Sequence, residues 1–187
     1  MELTKEELLR VMPNAGARAG MVVKSFNAFA PVFGLTTPER ICHFLAQVAH
    51  ESGELRYTEE LASGTAYEGR KDLGNTVKGW GVRYKGRGYL QVTGRKNYKA
   101  YSDFVGYDFY STPERARQLS MPGNALRSAM WFWVHGAARD LNLVSDLDND
   151  RNTEVVLQRI TKYINGGLNG LAARRRYLMR AKEVVRG

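Results

Sequence analysis

The chain has 187 residues, 43% hydrophobic and 25% charged, with a formal net charge of +9. That size and balance suit one soluble globular domain with its own core. Its single cysteine, Cys42, excludes an intrachain disulfide, and with only His43, His50 and His135 beside it a zinc cluster is excluded too.

In chain order, Thr4 with Glu7 reads as a capping box that opens a first helix. Glu2, Lys5, Glu6, Glu7 and Arg10 leave no room for the apolar core of a signal peptide. Ala19 to Leu35 is interrupted by Lys24 and Asn27 and is too short to span a membrane. The expectation is a protein made in a cytoplasm without a conventional leader. Thr36-Thr-Pro-Glu39 and Ser111-Thr-Pro-Glu114 each combine a cap, a proline in the first turn and an early acid, and so start helices. Ile41, Phe44, Leu45 and Val48 repeat at helical spacing and define one buried face. Residues 63–97 are rich in glycine, which predicts loops and a short hairpin. Ala125–Ala138, apolar nearly all round, predicts a central buried helix. Helices are further predicted over Thr153–Ile164 and Leu171–Val185, the second amphipathic.

Positive charge is concentrated in two segments. Residues 70–99 hold nine Lys/Arg against one Asp, a local +8, and residues 174–187 hold six against one Glu, a local +5. Such segments suit an anionic partner, whether nucleic acid, acidic lipid or an acidic wall polymer; a solvated face is the equal alternative.

Two segments carry chemistry. Phe44-Leu-Ala-Gln-Val-Ala-His-Glu-Ser-Gly53 places Glu51 at the end of an apolar helix, on the flank of its buried face. Partial desolvation there favours the protonated form that a general acid needs. Glu60 follows nine residues later. On one continuous helix the two would lie about 13 Å apart along the axis and out of phase; a break at Ser52-Gly53 lets Glu60 return opposite Glu51. Glu59 is a rival for that place, and spacing does not separate the two. Two carboxylates across a cleft are what glycoside hydrolysis requires. The second segment is Gly86-Arg-Gly-Tyr-Leu-Gln-Val-Thr-Gly-Arg-Lys-Asn-Tyr98. Its glycines permit close backbone approach, and alternation sends Leu90 and Val92 one way, Gln91 and Thr93 the other. Gln91, Thr93 and Asn97 suit sugar hydroxyls and N-acetyl groups. The ordinary alternatives are a structural glutamate at a helix end and a polar hairpin. Tyr67, Trp80, Tyr84, Tyr89, Tyr98 and Tyr101 interleave with the basic residues, some to stack on sugars and some to fill a core. His50-Glu51 begins a zincin-like pattern that Glu54 breaks, and Asp146, Asp148 and Asp150 begin a calcium loop that Arg151 breaks. No metal or cofactor is expected.

Together FLAQVAHESG (44–53), Glu60, YKGRGYLQVTGRKNY (84–98), AMWFWVHG (129–136) and INGGLNGLAAR (164–174) resemble glycoside hydrolase family 19, in particular its phage endolysin branch. The segments stand in family order from about residue 40 to the end. The resemblance implies an all-α, lysozyme-like domain with a Gly-rich loop or short hairpin lining the cleft, and inverting hydrolysis of β-1,4 bonds in N-acetylglucosamine-containing glycans. It makes Glu51 the general acid, Glu60 the general base, and Thr93 the hydroxyl that holds the attacking water. It makes Gln91, Asn97, Tyr98 and Asn165 substrate-binding residues. Arg174 becomes the arginine paired with the acidic centre, with Arg175 and Arg176 as rival alignments. Leu61 departs from the asparagine that many relatives carry after the base. The cysteines of plant chitinases are missing.

These readings predict a single catalytic domain over residues 1–187, with active-site segments 41–98 and 124–176 and no separate wall-binding domain. The expected protein is a monomeric endolysin acting on peptidoglycan glycan strands, with basic segments holding an anionic envelope and no nucleic-acid partner. It would be made in the host cytoplasm and reach the periplasmic wall through a separate membrane pore. A chitinase, or a catalytically silent wall- or nucleic-acid-binding module, is the competing reading.

Overall fold

The computed structural model describes residues 2–187. Ten α-helices form among them: α1 (Lys5–Val11), α2 (Arg18–Phe29), α3 (Pro38–Glu51), α4 (Trp80–Arg83), α5 (Arg95–Val105), α6 (Pro113–Arg117), α7 (Pro122–Trp131), α8 (Leu141–Ser145), α9 (Thr153–Asn165) and α10 (Leu171–Val185). The described residues contain no β-sheet, only two isolated bridge pairs, Glu59 with Arg87 and Arg87 with Val92. The molecule is mainly α, as expected.

The helix starts follow the local chemistry of the sequence. Thr4 and Glu7 cap α1 reciprocally. Thr37 and Thr112 cap α3 and α6, each with proline at the first helical position. The helix expected over Ala125–Ala138 instead begins at Pro122 and ends as α-helix at Trp131, running on as a single π turn over Phe132–Gly136. Proline again sets the start, and in the π turn Gly136 lies where any added side-chain carbon would strike the Phe132 ring.

α3 is the central strut, buried along Ile41 to Ala49, and α10 packs along it more extensively than any other pair of elements. Leu178, Ala181, Val184 and Val185 face inward from α10. Phe44 meets Trp133 edge-on at 5.4 Å between ring centres, and the indole N–H of Trp133 donates to Asn142 at 3.0 Å. Below the apolar layer lies an ionic knot. Asp148 accepts from His43 Nε2 at 2.9 Å, from Thr153 at 2.6 Å and from Lys182 at 2.9 Å. Burial holds His43 below its ordinary pKa, and the hydrogen bonds from His43, Thr153 and Lys182 hold Asp148 well below its own despite its burial.

The C-terminal positive segment is not a free cationic face. Arg174, Arg175, Lys182 and Arg186 pair with Glu51, Glu154, Asp148 and Asp150, and Glu39 and Asp150 respectively, leaving Arg176 and Arg180 without carboxylate partners among the described residues. In residues 70–99, Lys71, Lys78, Arg83, Arg95 and Lys96 have no carboxylate partner among the described residues. No described helix is long and apolar enough to cross a membrane.

Candidate active site

The end of α3 sets the first wall. Ser52 turns the chain there: its hydroxyl donates to the Val48 carbonyl at 2.6 Å and accepts the Leu55 amide at 2.8 Å. Glu54 and Leu55 then take positive φ angles of 57° and 68°, a conformation that costs a non-glycine residue about 1 kcal/mol or more. This is the break expected at Ser52-Gly53, and it leaves Glu51 facing a cleft of about 400 Å³.

Behind Glu51 stands Arg174, 1% exposed. Its Nη2 lies 2.5 Å from Glu51 Oε1, its Nη1 donates to Gln47 Oε1, and its Nε donates to the Asn169 carbonyl at 3.2 Å. Gln47 in turn donates to Thr161 at 3.3 Å. The apolar surroundings expected for Glu51 are thus replaced by an ion pair on one oxygen, while Oε2 makes no hydrogen bond to the described residues. Geometry also separates the three arginines: Arg174 reaches Glu51, Arg175 binds Glu154, and Arg176 is exposed. Arg174 therefore stands against the acidic centre, in the place the resemblance gave it; its guanidinium is covered and acts on Glu51.

The loop ahead of α10 locks against α3. A Cβ at Gly170 would lie 2.1 Å from the His50 ring, so only glycine fits. Burial first, and the charge of Arg174 second, hold His50 below its ordinary pKa. Asn165 shapes the same loop, donating to the Asn169 carbonyl at 3.1 Å and accepting the Gly167 amide at 2.8 Å. That carbonyl is also the acceptor for Arg174, so Asn165 supports Arg174 and does not line the cleft.

The opposite wall is loop. Glu60 N donates to the Gly86 carbonyl at 3.0 Å, and Gly88 N to the Thr58 carbonyl at 2.8 Å. Arg87 and Val92 exchange two backbone hydrogen bonds of 3.1 and 2.8 Å. This short hairpin buries Leu90 and Val92 and turns Gln91 and Thr93 to the cleft, the alternation read from the sequence. Gln91 itself has φ +56°, so it belongs to a turn and not to a strand.

Glu59 and Glu60 differ sharply. Glu59 is paired with Lys85 at 2.9 Å and Arg87 at 3.1 Å; burial works to raise its pKa, but these two cations outweigh it and hold the carboxyl low. Glu60 carries no ion pair among the described residues. Its Oε2 accepts from the Tyr67 hydroxyl at 2.9 Å, and its Oε1 is buried with no partner. Gln91 Oε1 is likewise buried and unpartnered. A Cβ at Gly86 would lie 2.4 Å from Gln91 Oε1, and 3.2 Å from both Glu60 Oε2 and Thr93 Oγ1. The missing side chain at Gly86 is what lets these three oxygens converge. Thr93 Oγ1 donates to the Gln91 carbonyl at 3.0 Å, which leaves its lone pairs able to accept from water.

The structure therefore gathers Glu51, Glu60, Gln91 and Thr93 on one cleft, which the ion-paired Glu59 also borders, and leaves Asn97, Tyr98 and Asn165 out of its lining. Asn97 uses its amide nitrogen on the Thr93 carbonyl at 2.9 Å, fixing the hairpin onto α5. Tyr98 is a correction: it is 0% exposed, accepts from Arg87 at 2.9 Å and donates to the Lys85 carbonyl at 2.7 Å, so it is core and cannot touch a substrate. Of two further cleft residues, Tyr57 carried no sequence signal for a site role, and Tyr67 was marked only as one aromatic among six. Tyr57 lines the cleft and Tyr67 orients Glu60; both contacts form across loops with no periodicity to read. Among the described residues no group of three or more His, Cys, Asp or Glu is arranged to hold a metal ion.

No protein-family model matches the chain. Individual proteins do. The chain is 32% identical over 115 residues to a glycosyl hydrolase family 19 domain-containing protein of Haemophilus influenzae, covering 62% of this chain and 49% of that one. It is 33% identical over 144 residues to an endochitinase of Arabidopsis thaliana, covering 77% of this chain and 44% of that one. The chain thus spans about half the length of these curated relatives. Its fold is that of chitinase C from Streptomyces griseus, with a TM-score of 0.70 at 22% identity over 97% of this chain and 76% of that one. It is equally that of a bacterial family 19 chitinase, with a TM-score of 0.70 at 18% identity over 99% and 95%. Sequence identity to relatives so described, on a mainly helical fold shared with solved family 19 chitinases, leads to one conclusion: the chain belongs to glycosyl hydrolase family 19.

Proposed function

We propose that the chain is an endolysin of phage or prophage type, a glycoside hydrolase that cleaves the β-1,4 N-acetylmuramic acid/N-acetylglucosamine backbone of peptidoglycan during host cell lysis. The observation that carries the reading is the pairing of Glu51 and Glu60 on one cleft, in different surroundings. Glu51, held on Oε1 by Arg174, presents Oε2 to protonate the leaving glycosidic oxygen. Glu60, ion-pair free and oriented by Tyr67, takes the proton of a water that Thr93 helps to hold. Attack from the face opposite the leaving group inverts the anomeric centre, which needs the two carboxyl groups about 6.5–9.5 Å apart to leave room for that water. Gln91 Oε1, buried and unpartnered, accepts from a sugar hydroxyl or N-acetyl N–H. The enzyme acts on the wall after release from the host cytoplasm through a separate pore, and the unpaired cations of residues 70–99 favour an acidic envelope surface.

A second reading, a chitinase, is favoured by the plant endochitinase relative. Mass spectrometry of products from purified peptidoglycan and from chitin oligomers separates the two. Wild type is expected to release muropeptides with new reducing ends and Glu51→Gln to release none, a loss of about a thousandfold. Products from chitin alone would replace the endolysin reading with the chitinase one. Undiminished release by Glu51→Gln would remove Glu51 as the acid.

A further inference from the structure

A second cavity, of about 540 Å³, adjoins the catalytic cleft and plays no part in the chemistry above. It is lined by Asn14, Arg18, Glu54, Arg56, Tyr57 and Tyr177. Tyr57 is the shared wall, since it also lines the cleft that holds Glu51 and Glu60. A glycan threaded past the two glutamates therefore has this cavity at its flank.

The charges in the cavity are unevenly satisfied. Glu54 is buried and fully engaged: it accepts from the Asn14 backbone amide at 2.5 Å, from the Asn14 side chain at 3.1 Å and from the Tyr177 hydroxyl at 2.8 Å. The two arginines have no carboxylate partner among the described residues. Arg18 donates one Nη2 bond to the Asn14 carbonyl at 2.8 Å, and its Nε is buried with no partner. Arg56 is exposed and lies over the Tyr57 ring at 5.2 Å. The positive φ angles at Glu54 and Leu55 send Glu54 inward to these bonds while Arg56 and Tyr57 stay at the surface. Unpaired guanidinium groups beside aromatic walls select carboxylates, which they bind in a charge-assisted and often bidentate manner.

We infer that this cavity is a subsite for the acidic stem peptide that hangs from the lactyl group of peptidoglycan, with Arg18 and Arg56 binding its free carboxylates. The inference rests on the peptidoglycan reading of the cleft. It gives the protein a means to prefer a peptide-bearing glycan over a bare amino-sugar polymer, which offers no carboxylate to these arginines.

The test compares glycan strands that carry stem peptides with the same strands stripped by an amidase. For wild type, KM is expected to be at least about fivefold lower on peptide-bearing strands, the weight of one charge-assisted contact at a half-exposed site. Arg18→Gln/Arg56→Gln should erase that difference while kcat on peptide-bearing strands stays within about twofold. Because Arg18 also ties Asn14, Arg56→Gln alone is run beside it; this exposed side chain makes no fold-holding hydrogen bond, and its loss should narrow the difference to about twofold. Equal KM values in wild type, or a ratio unchanged in both variants, overturn the subsite. A preference for longer stripped strands that the variants lose would assign the cavity to sugar units and overturn it as well. If wild type cuts neither substrate, the proposed function falls, and calorimetric titration of the free stem tripeptide into wild type decides the subsite separately. Saturable binding that Arg56→Gln weakens supports it, and no binding overturns it.

Discussion

The two glutamates of the cleft stand on walls of opposite construction. Glu51 ends a buried helix and is locked by Arg174, Gln47 and Thr161, a chain of polar groups that satisfies itself inside the protein. Glu60 stands on loops, and two acceptors around it, its own Oε1 and Gln91 Oε1, are buried without partners. Buried polar atoms without partners are rare, because each forfeits its hydrogen bond to water. A wall that satisfies itself fixes a geometry; a wall that leaves acceptors open awaits protons from something else. The helical side thus positions the proposed acid, and under the proposed function the loop side receives water and sugar.

The sharpest way to break this comparison is on the loop side. Glu60→Gln should lower turnover by about a hundredfold or more, whereas Glu59→Gln, which removes a carboxylate already held by Lys85 and Arg87, should mainly cost stability. Turnover and urea unfolding measured on both variants would reverse the assignment if Glu59→Gln were the inactive one. On the helical side, Arg174→Leu strips the partner from Glu51 and from Gln47. Breaking a buried pair costs about 3 kcal/mol, read as a drop in the urea midpoint; an unchanged midpoint would mean the network is ornamental. Gly86→Ala sharpens the contrast. Its backbone needs no positive φ and its new methyl meets the movable end of Gln91, so the fold should survive while turnover falls about tenfold through displaced oxygens. Full activity in that variant would show that Gln91 need not sit where it does.

The smallest effect is with pH. His43 and His50 both belong to α3, and burial holds each below the ordinary histidine value of 6.5. The unfolded chain then binds protons that the folded one refuses, so this part of the stability is present above about pH 6.5 and lost as pH falls toward the lower folded values. Arg174 and Glu51 face His50, and Asp148, Lys182 and Glu39 face His43, with only the carboxylates opposing the shift. Thermal unfolding is expected at lower temperature at about pH 5.5 than at about pH 7.5. A flat profile over that range would show that neither ring is held neutral.

Much of the helical wall was legible in the sequence because its signals are local. Caps, prolines and the spacing of Ile41, Phe44, Leu45 and Val48 gave α3 and the place of Glu51. Arg174 was placed only by resemblance, with Arg175 and Arg176 as rivals; periodicity separates them, because Leu171, Arg174, Leu178, Ala181 and Val185 fall on one stripe, so Arg174 points inward while Arg175 and Arg176 do not. The same spacing marks Tyr98, Tyr101 and Ser102 as the buried face of α5, which is why Tyr98 fails as a binding residue. The loop wall was less legible. Nothing local distinguishes Glu59 from Glu60, because the difference is made by Lys85 and Arg87, more than twenty residues on. Tyr57 and Tyr67 likewise take their roles from chain reversals, not from a repeat.

The bond between Glu51 and Arg174 joins residues 123 positions apart. During synthesis the chain emerges in order, and contacts of such long separation form only when both ends are free of the ribosome. A nascent chain that already displays α3 and the hairpin therefore carries Glu51 without its guanidinium and Gln47 without its donor. Under the proposed mechanism the wall-cutting centre cannot be armed by a partial chain. Its assembly waits for α10 to dock, which couples the onset of activity to completion of the fold.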